Sequence, residues 1–150
     1  MKNVFNEQDM NELLSRLNQL TPETQRKWGK MTVAQMLAHC NVTYEMVYED
    51  KYPKPNALMR FILRLLVKNK VVNEVPYKQN GPTAPVFIVK DDKDFETEKT
   101  RLSNYIQKTQ SLGAEYFNQK ESISFGPLTS KEWNNMFFKH LDHHFRQFGV

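Results

Sequence analysis

One cysteine, five glycines and no long apolar run mark what this chain of 150 residues does without. A lone thiol, Cys40, excludes an internal disulfide and fits a reducing compartment, so the expected localisation is cytoplasmic. The first twenty residues carry Glu7, Asp9, Glu12 and Arg16 where an export signal needs apolar residues, and no such signal is expected. The best apolar run, Phe61 to Val67, is broken by Arg64 and falls short of the roughly 18 residues of a membrane span. Internal repeats, low-complexity tracts and nucleic-acid-binding motifs are also missing. A net charge of +4 does not by itself ask for nucleic acid, which is not an expected partner.

What is present suffices for one domain, residues 1–150, because a hydrophobic fraction of 39% in a chain of this length builds its own core. Met10, Leu13, Leu14, Leu17 and Leu20 repeat at helical spacing and predict a first helix that Thr21-Pro22 ends. Thr32 with Gln35 forms a capping box that opens a second helix, running to about Glu49. This helix is apolar most of the way round, as expected of one buried on several sides. Phe95, Leu102 and Ile106 mark a third long helix from about Asp94 to Leu112, with Gly113 as its stop. After a loop containing Gly126-Pro127, a second capping box, Thr129 with Glu132, opens a fourth helix that Gly149 closes.

Four long helices with one long connection between the second and third imply an all-α, crossover-type four-helix bundle. Prolines 53, 55, 76, 82 and 85 punctuate that connection. Leu58, Phe61, Ile62, Leu65 and Leu66 predict a short amphipathic helix within it, and the apolar Val86–Val89 run a short extended segment. Charge concentrates there too. Residues 51–78 hold seven lysines and arginines against one acid, Glu74, so the stretch is +6 and the rest of the chain −2.

Three of the four histidines, His140, His143 and His144, fall within five residues of the fourth helix. Its apolar stripe is Trp133, Met136, Phe137, Leu141 and Phe148. At about 100° per residue, His144 lies near the centre of that stripe, His140 roughly 45° from it and His143 roughly 105° away, on the flank. Two imidazoles a turn apart on a buried face need something to satisfy their nitrogens, and a divalent transition metal does so. The remaining histidine, His39 on the second helix, would supply a third ligand. Ordinary core histidines bonded to side chains or carbonyls are the alternative that spacing alone leaves standing. Asp142 is expected to project away into solvent, and Cys40, on an apolar stripe, to be inert.

The segments Trp28–His39 and His140–Gln147, with Phe125–Thr129 and Gly81–Pro85, resemble the DinB/YfiT-like superfamily, in a branch described only as a domain of unknown function. The likeness runs from about Trp28 to Val150. It implies a four-helix bundle holding Zn or Ni through His39, His140 and His144, with water completing the site and with homodimers common. It also implies thiol-dependent S-transferase or isomerase relatives that use bacillithiol, mycothiol or glutathione. Phe145, between His144 and Arg146, departs from the better-known pattern and leaves the substrate open.

The leading expectation is therefore a metal-dependent transferase or hydrolase with a three-histidine site, open to water or to a low-molecular-weight thiol as cosubstrate; Tyr44, Glu45 and His143 are the candidates for a nearby base, and the sequence assigns none of them as catalytic. The alternative is a non-catalytic binding module that uses the basic crossover, residues 51–78, to dock on an anionic membrane or a protein. The preferred reading of that crossover has Leu58, Phe61, Ile62 and Leu65 packing on the bundle while Arg60, Arg64 and Lys68 face water.

Overall fold

The computed structural model describes residues 1–150. It is mostly helical, with six α-helices and one small two-stranded sheet. Helix α1 (Glu7–Asn18) starts at Asn6, whose side chain accepts from the Gln8 and Asp9 amides. It buries Leu13 and Leu17 completely. Helix α2 (Val33–Tyr48) has the expected Thr32/Gln35 capping box, and its residues from Met36 to Glu45 are all buried or nearly so. Helix α5 (Phe95–Phe117) is capped by Asp94 and broken at Gly113, where φ 73° and ψ 170° leave helical geometry before one more turn carries Phe117 into the core. The expected stop is therefore a kink, because burial of Phe117 outweighs the break. Helix α6 (Ser130–Phe148) has the Thr129/Glu132 box at one end and left-handed Gly149 at the other.

Helix α2 packs against both α5 and α6, and α1 packs against the same two. One core of buried side chains joins them. Tyr44 stacks between Tyr105 and Phe137, and Phe137 between Tyr44 and Trp133. Each large apolar side chain buried there contributes about 1.5–3 kcal/mol.

The connections differ from expectation in four places. The loop around Gly126-Pro127 is a strand: β2 (Gly126–Leu128) pairs antiparallel with β1 (Lys120–Ser122), which period-2 patterning over three residues is too short to reveal. Residues 86–89 form no strand, although Ile88 itself is extended. Pro85 begins a 3-10 turn (Pro85–Phe87) that has no neighbouring strand to pair with. The crossover holds two helices, α3 (Ala57–Leu66) and α4 (Lys68–Val72), separated at Val67. Most importantly, the apolar face of α3 does not pack inward. Leu58 and Leu65 are each 69% exposed and Phe61 63%, while Leu63 and Val67 make the contact with the core. Four residues separate Leu63 from Val67, so they share the opposite side of the helix from Leu58 and Leu65. Ion pairs of Arg60 with Glu121 and Lys68 with Glu132 fix that rotation.

Candidate metal centre

Three helical positions bring the site together. His39 sits two turns into α2, and His140 and His144 lie one turn apart on the C-terminal half of α6, which crosses α2. Their ligand atoms lie within 4.8 Å of one another. His39 and His144 are buried, and His140 is half-buried. This is the trio expected from the sequence.

The second nitrogen of each ring decides what the first can do. His39 Nδ1 is 2.8 Å from the Phe87 carbonyl, which only accepts, so Nδ1 carries the proton and Nε2 an open lone pair. His144 Nδ1 is 2.8 Å from Gln147 Oε1, and the Gln147 amide nitrogen donates to the Trp28 carbonyl at 2.8 Å. That second bond sets which end of the amide is oxygen, so His144 also bears its proton on Nδ1. His140 Nδ1 meets the Thr43 hydroxyl at 2.9 Å, a partner able to donate or accept. The Nε2 atoms of His39 and His140 are 2.9 Å apart. Two lone pairs at that distance repel, so either a proton on His140 Nε2 or a cation must lie between them.

This geometry fits a metal. Two nitrogens on one tetrahedral ion with ordinary metal–imidazole bonds stand about 3.3 Å apart. A carbonyl, an amide oxygen and a hydroxyl on the far ring atoms are the outer contacts that orient metal-bound histidines. Burial pulls the pKa of all three rings down, His144 to about 3, and for His140 and His144 the neighbouring imidazoles add to it. The rings are thus neutral, the state that binds metal.

The supporting residues were not singled out from sequence, although two had a signal. Gln147, three residues after His144, shares a helix face with its partner, and Thr43, four after His39, shares that histidine's face and so meets His140 across the helix pair. Phe87, brought by the crossover 48 residues away from His39, had none. Gly29 acts through Gln147: it has φ +82°, and a Cβ there would sit 2.3 Å from the Gln147 amide nitrogen.

The other candidates divide. His143 is half-buried, packed on the rings of Trp28 and Tyr77, and lines the same cleft as His39 and His144. Tyr44 is enclosed by aromatic rings, and Glu45 is bound by Lys51, Tyr52 and Arg101. Asp142 is not solvated. Its side chain is 16% exposed and bridges Arg16 of α1 at 2.9 Å and Arg146 at 3.0 Å, because α1 closes over that flank of α6. Cys40 is fully buried with its thiol pushed well up by burial, in line with an inert residue.

A cleft of about 540 Å³ opens onto His39 and His144. Met31, Phe87 and Ile88 supply apolar wall, Lys30 a positive charge, and no carboxylate lines it. The buried indole N–H of Trp28, on the same wall, has no acceptor. No helix is long and apolar enough to cross a membrane.

No curated protein and no solved structure matches this chain. A family model matches residues 2–149, and with that coverage the chain belongs to the family described as "Protein of unknown function (DUF1569)".

Proposed function

We propose that this protein is a divalent-metal-binding, DinB-like four-helix bundle in which His39, His140 and His144 hold one ion, and that it is a metal-dependent enzyme acting in the adjoining cleft. The observation that carries the reading is the convergence of three imidazoles whose outer nitrogens are each engaged by a different group. Neutral, pre-oriented rings bind a cation without the cost of ordering them. Three nitrogen ligands suit Zn or Ni, and a metal so held supplies Lewis acidity, lowering the pKa of a water or thiol placed beside it.

The chain's own residues account for the rest. Phe87 and Gln147 fix the protons of His39 and His144 on Nδ1, so these two rings present acceptors only. Thr43 can switch between donating to His140 and accepting from it, which lets His140 move its proton from Nε2 to Nδ1 when a cation arrives. The apolar wall limits water at the site, while Lys30 favours a substrate bearing an anionic group. Low-molecular-weight thiols carrying carboxylates have that chemistry, which supports an S-transferase or hydrolase type.

Elemental analysis of protein purified without a metal-affinity tag tests the reading. About one ion per chain is expected, lost in His39→Ala and His144→Ala while the helical circular-dichroism spectrum persists. A folded wild type that holds no ion and takes up neither added Zn nor added Ni would return the histidines to ordinary core residues. With the ion established, a thiol with a reactive electrophile should turn over only in the metal-loaded protein.

A further inference from the structure

The face of α3 that the fold leaves uncovered gathers most of the large exposed apolar side chains of the molecule. Leu58, Met59, Phe61, Ile62, Leu65 and Leu66 are between 38% and 69% exposed, all on one ten-residue helix. Six large apolar side chains side by side exceed the scattered exposure of an ordinary monomer surface. The helix holds no acid, and the charges near it that lack an ion-pair partner are basic. Arg60 and Lys68 are spent on Glu121 and Glu132, and Lys51 on Glu45 and Glu49. Lys54, Arg64 and Lys70 make no ion pair, and the one acid of the stretch, Glu74, is taken by Lys131.

From this pairing of an exposed apolar ridge with unpaired cations we infer that α3 docks this protein on an anionic lipid surface, lying in the plane of the headgroups with Leu58, Phe61 and Leu65 inserted and Lys54, Arg64 and Lys70 against phosphates. A bilayer suits this shape because the ridge is convex and needs no matching groove. Arg64 flanks the apolar arc, where its long stem can follow the inserted residues while the guanidinium stays at headgroup level. A second copy of the chain fits less well, since a two-fold contact through α3 would set Arg64 and Lys54 against their own copies with no free acid nearby. The surface is also distinct from the histidine cleft. Lys68, at the start of α4, pairs with Glu132 in the first turn of α6, and His144 lies about 18 Å further along that helix. Docking by α3 therefore leaves the cleft open and does not depend on what the cleft does.

The test is cosedimentation of the full chain with vesicles of phosphatidylglycerol mixed with phosphatidylcholine, and with phosphatidylcholine alone. The expected result is binding to the anionic vesicles at low salt, little to the neutral ones, and strong weakening at about 0.5 M salt. Leu58→Ser combined with Phe61→Ser, and separately Lys54→Glu combined with Arg64→Glu, should each weaken binding about tenfold or more. These side chains are at the surface, so both variants should keep the wild-type circular-dichroism spectrum and melting temperature. Absence of binding to anionic vesicles at low salt would overturn the inference, as would binding that the Leu58/Phe61 variant leaves unchanged. Self-association in sedimentation velocity that the same variant abolishes, without vesicle binding, would instead assign the face to a second copy.

Discussion

Two buried polar clusters flank α2, and they satisfy their atoms in opposite ways. Toward α5, Glu45 accepts from Tyr52 at 2.5 Å, from Lys51 at 2.8 Å and from Arg101, while Glu98 accepts from Arg101 at 2.9 Å and from Asn41 at 2.8 Å. Both carboxylates have a cationic donor supplied by the chain itself, with the Tyr52 hydroxyl added at Glu45 and the Asn41 amide at Glu98. Toward α6, the three imidazoles have their outer nitrogens satisfied and their inner ones turned on each other. A cluster closed by its own charges is architecture; one whose lone pairs converge is shaped to hold an ion. Burial is similar in both, so burial does not separate them. The direction of the unshared electron pairs does.

That comparison is broken most severely at the ligands. His144→Ala should lower metal affinity by more than about a hundredfold, since outer contacts alone are worth 10–100-fold, and titration with Zn or Ni in a competing chelator would measure it. Gln147→Leu should cost about 10–100-fold in the same titration, because His144 loses the acceptor that fixes its proton. Gly29→Ala should move affinity the same way by a smaller factor, by displacing Gln147. Loading the wild type at a hundredfold excess over the dissociation constant should add about 2.7 kcal/mol to stability. For a domain of this size that is a rise in melting temperature of roughly 5–10 °C, absent in His39→Ala.

The closed cluster should respond in stability alone. Arg101→Met removes one of two cationic partners from Glu45 and the one from Glu98, which are 4% and 8% exposed, and should cost about 1–3 kcal/mol in urea denaturation while metal content is unchanged. The smallest effect is with pH. Burial would push the Glu45 carboxyl up, but hydrogen bonds from Lys51, Tyr52 and Arg101 more than offset it and hold it below 4.5, the ordinary glutamate value. A depressed folded pKa contributes stability that is fully present above the unfolded value and fades as pH falls through the folded one. Stability should thus decline on acidification below about 4.5, and less steeply in Glu45→Gln. A parallel decline in the two proteins would remove Glu45 from the account.

The parts of this molecule that were readable in sequence depend on local rules. Both capping boxes, the left-handed Gly149 and the apolar stripe of α6 follow from side chains within a turn or two of each other. His140 and His144 were placed on one inward face by the same helical arithmetic. The β1–β2 pairing, the 3-10 turn at Pro85 and the kink at Gly113 were not, since each is decided by what lies across from it. Asp142 shows the same limit. Its position on α6 suggested solvent, and the arrival of Arg16 from α1, 126 residues away, covered it and added a second ion pair to the local one with Arg146.

Helix α3 marks the boundary most clearly. Periodicity located its apolar face correctly but had no means of saying whether that face turns inward, because an amphipathic pattern reads the same against a core and against a surface. The tertiary structure decided it, through Leu63 and Val67 facing the core and the Arg60–Glu121 and Lys68–Glu132 pairs that hold the helix in that rotation. For the metal centre the division is similar. The sequence by itself put His140 and His144 on one inward face through helical phase, and left His39 as the one remaining imidazole to join them. Only the fold determined that they meet through Nε2, because the acceptors on the far side of His39 and His144 come from a distant turn and from a glutamine held by the Trp28 carbonyl.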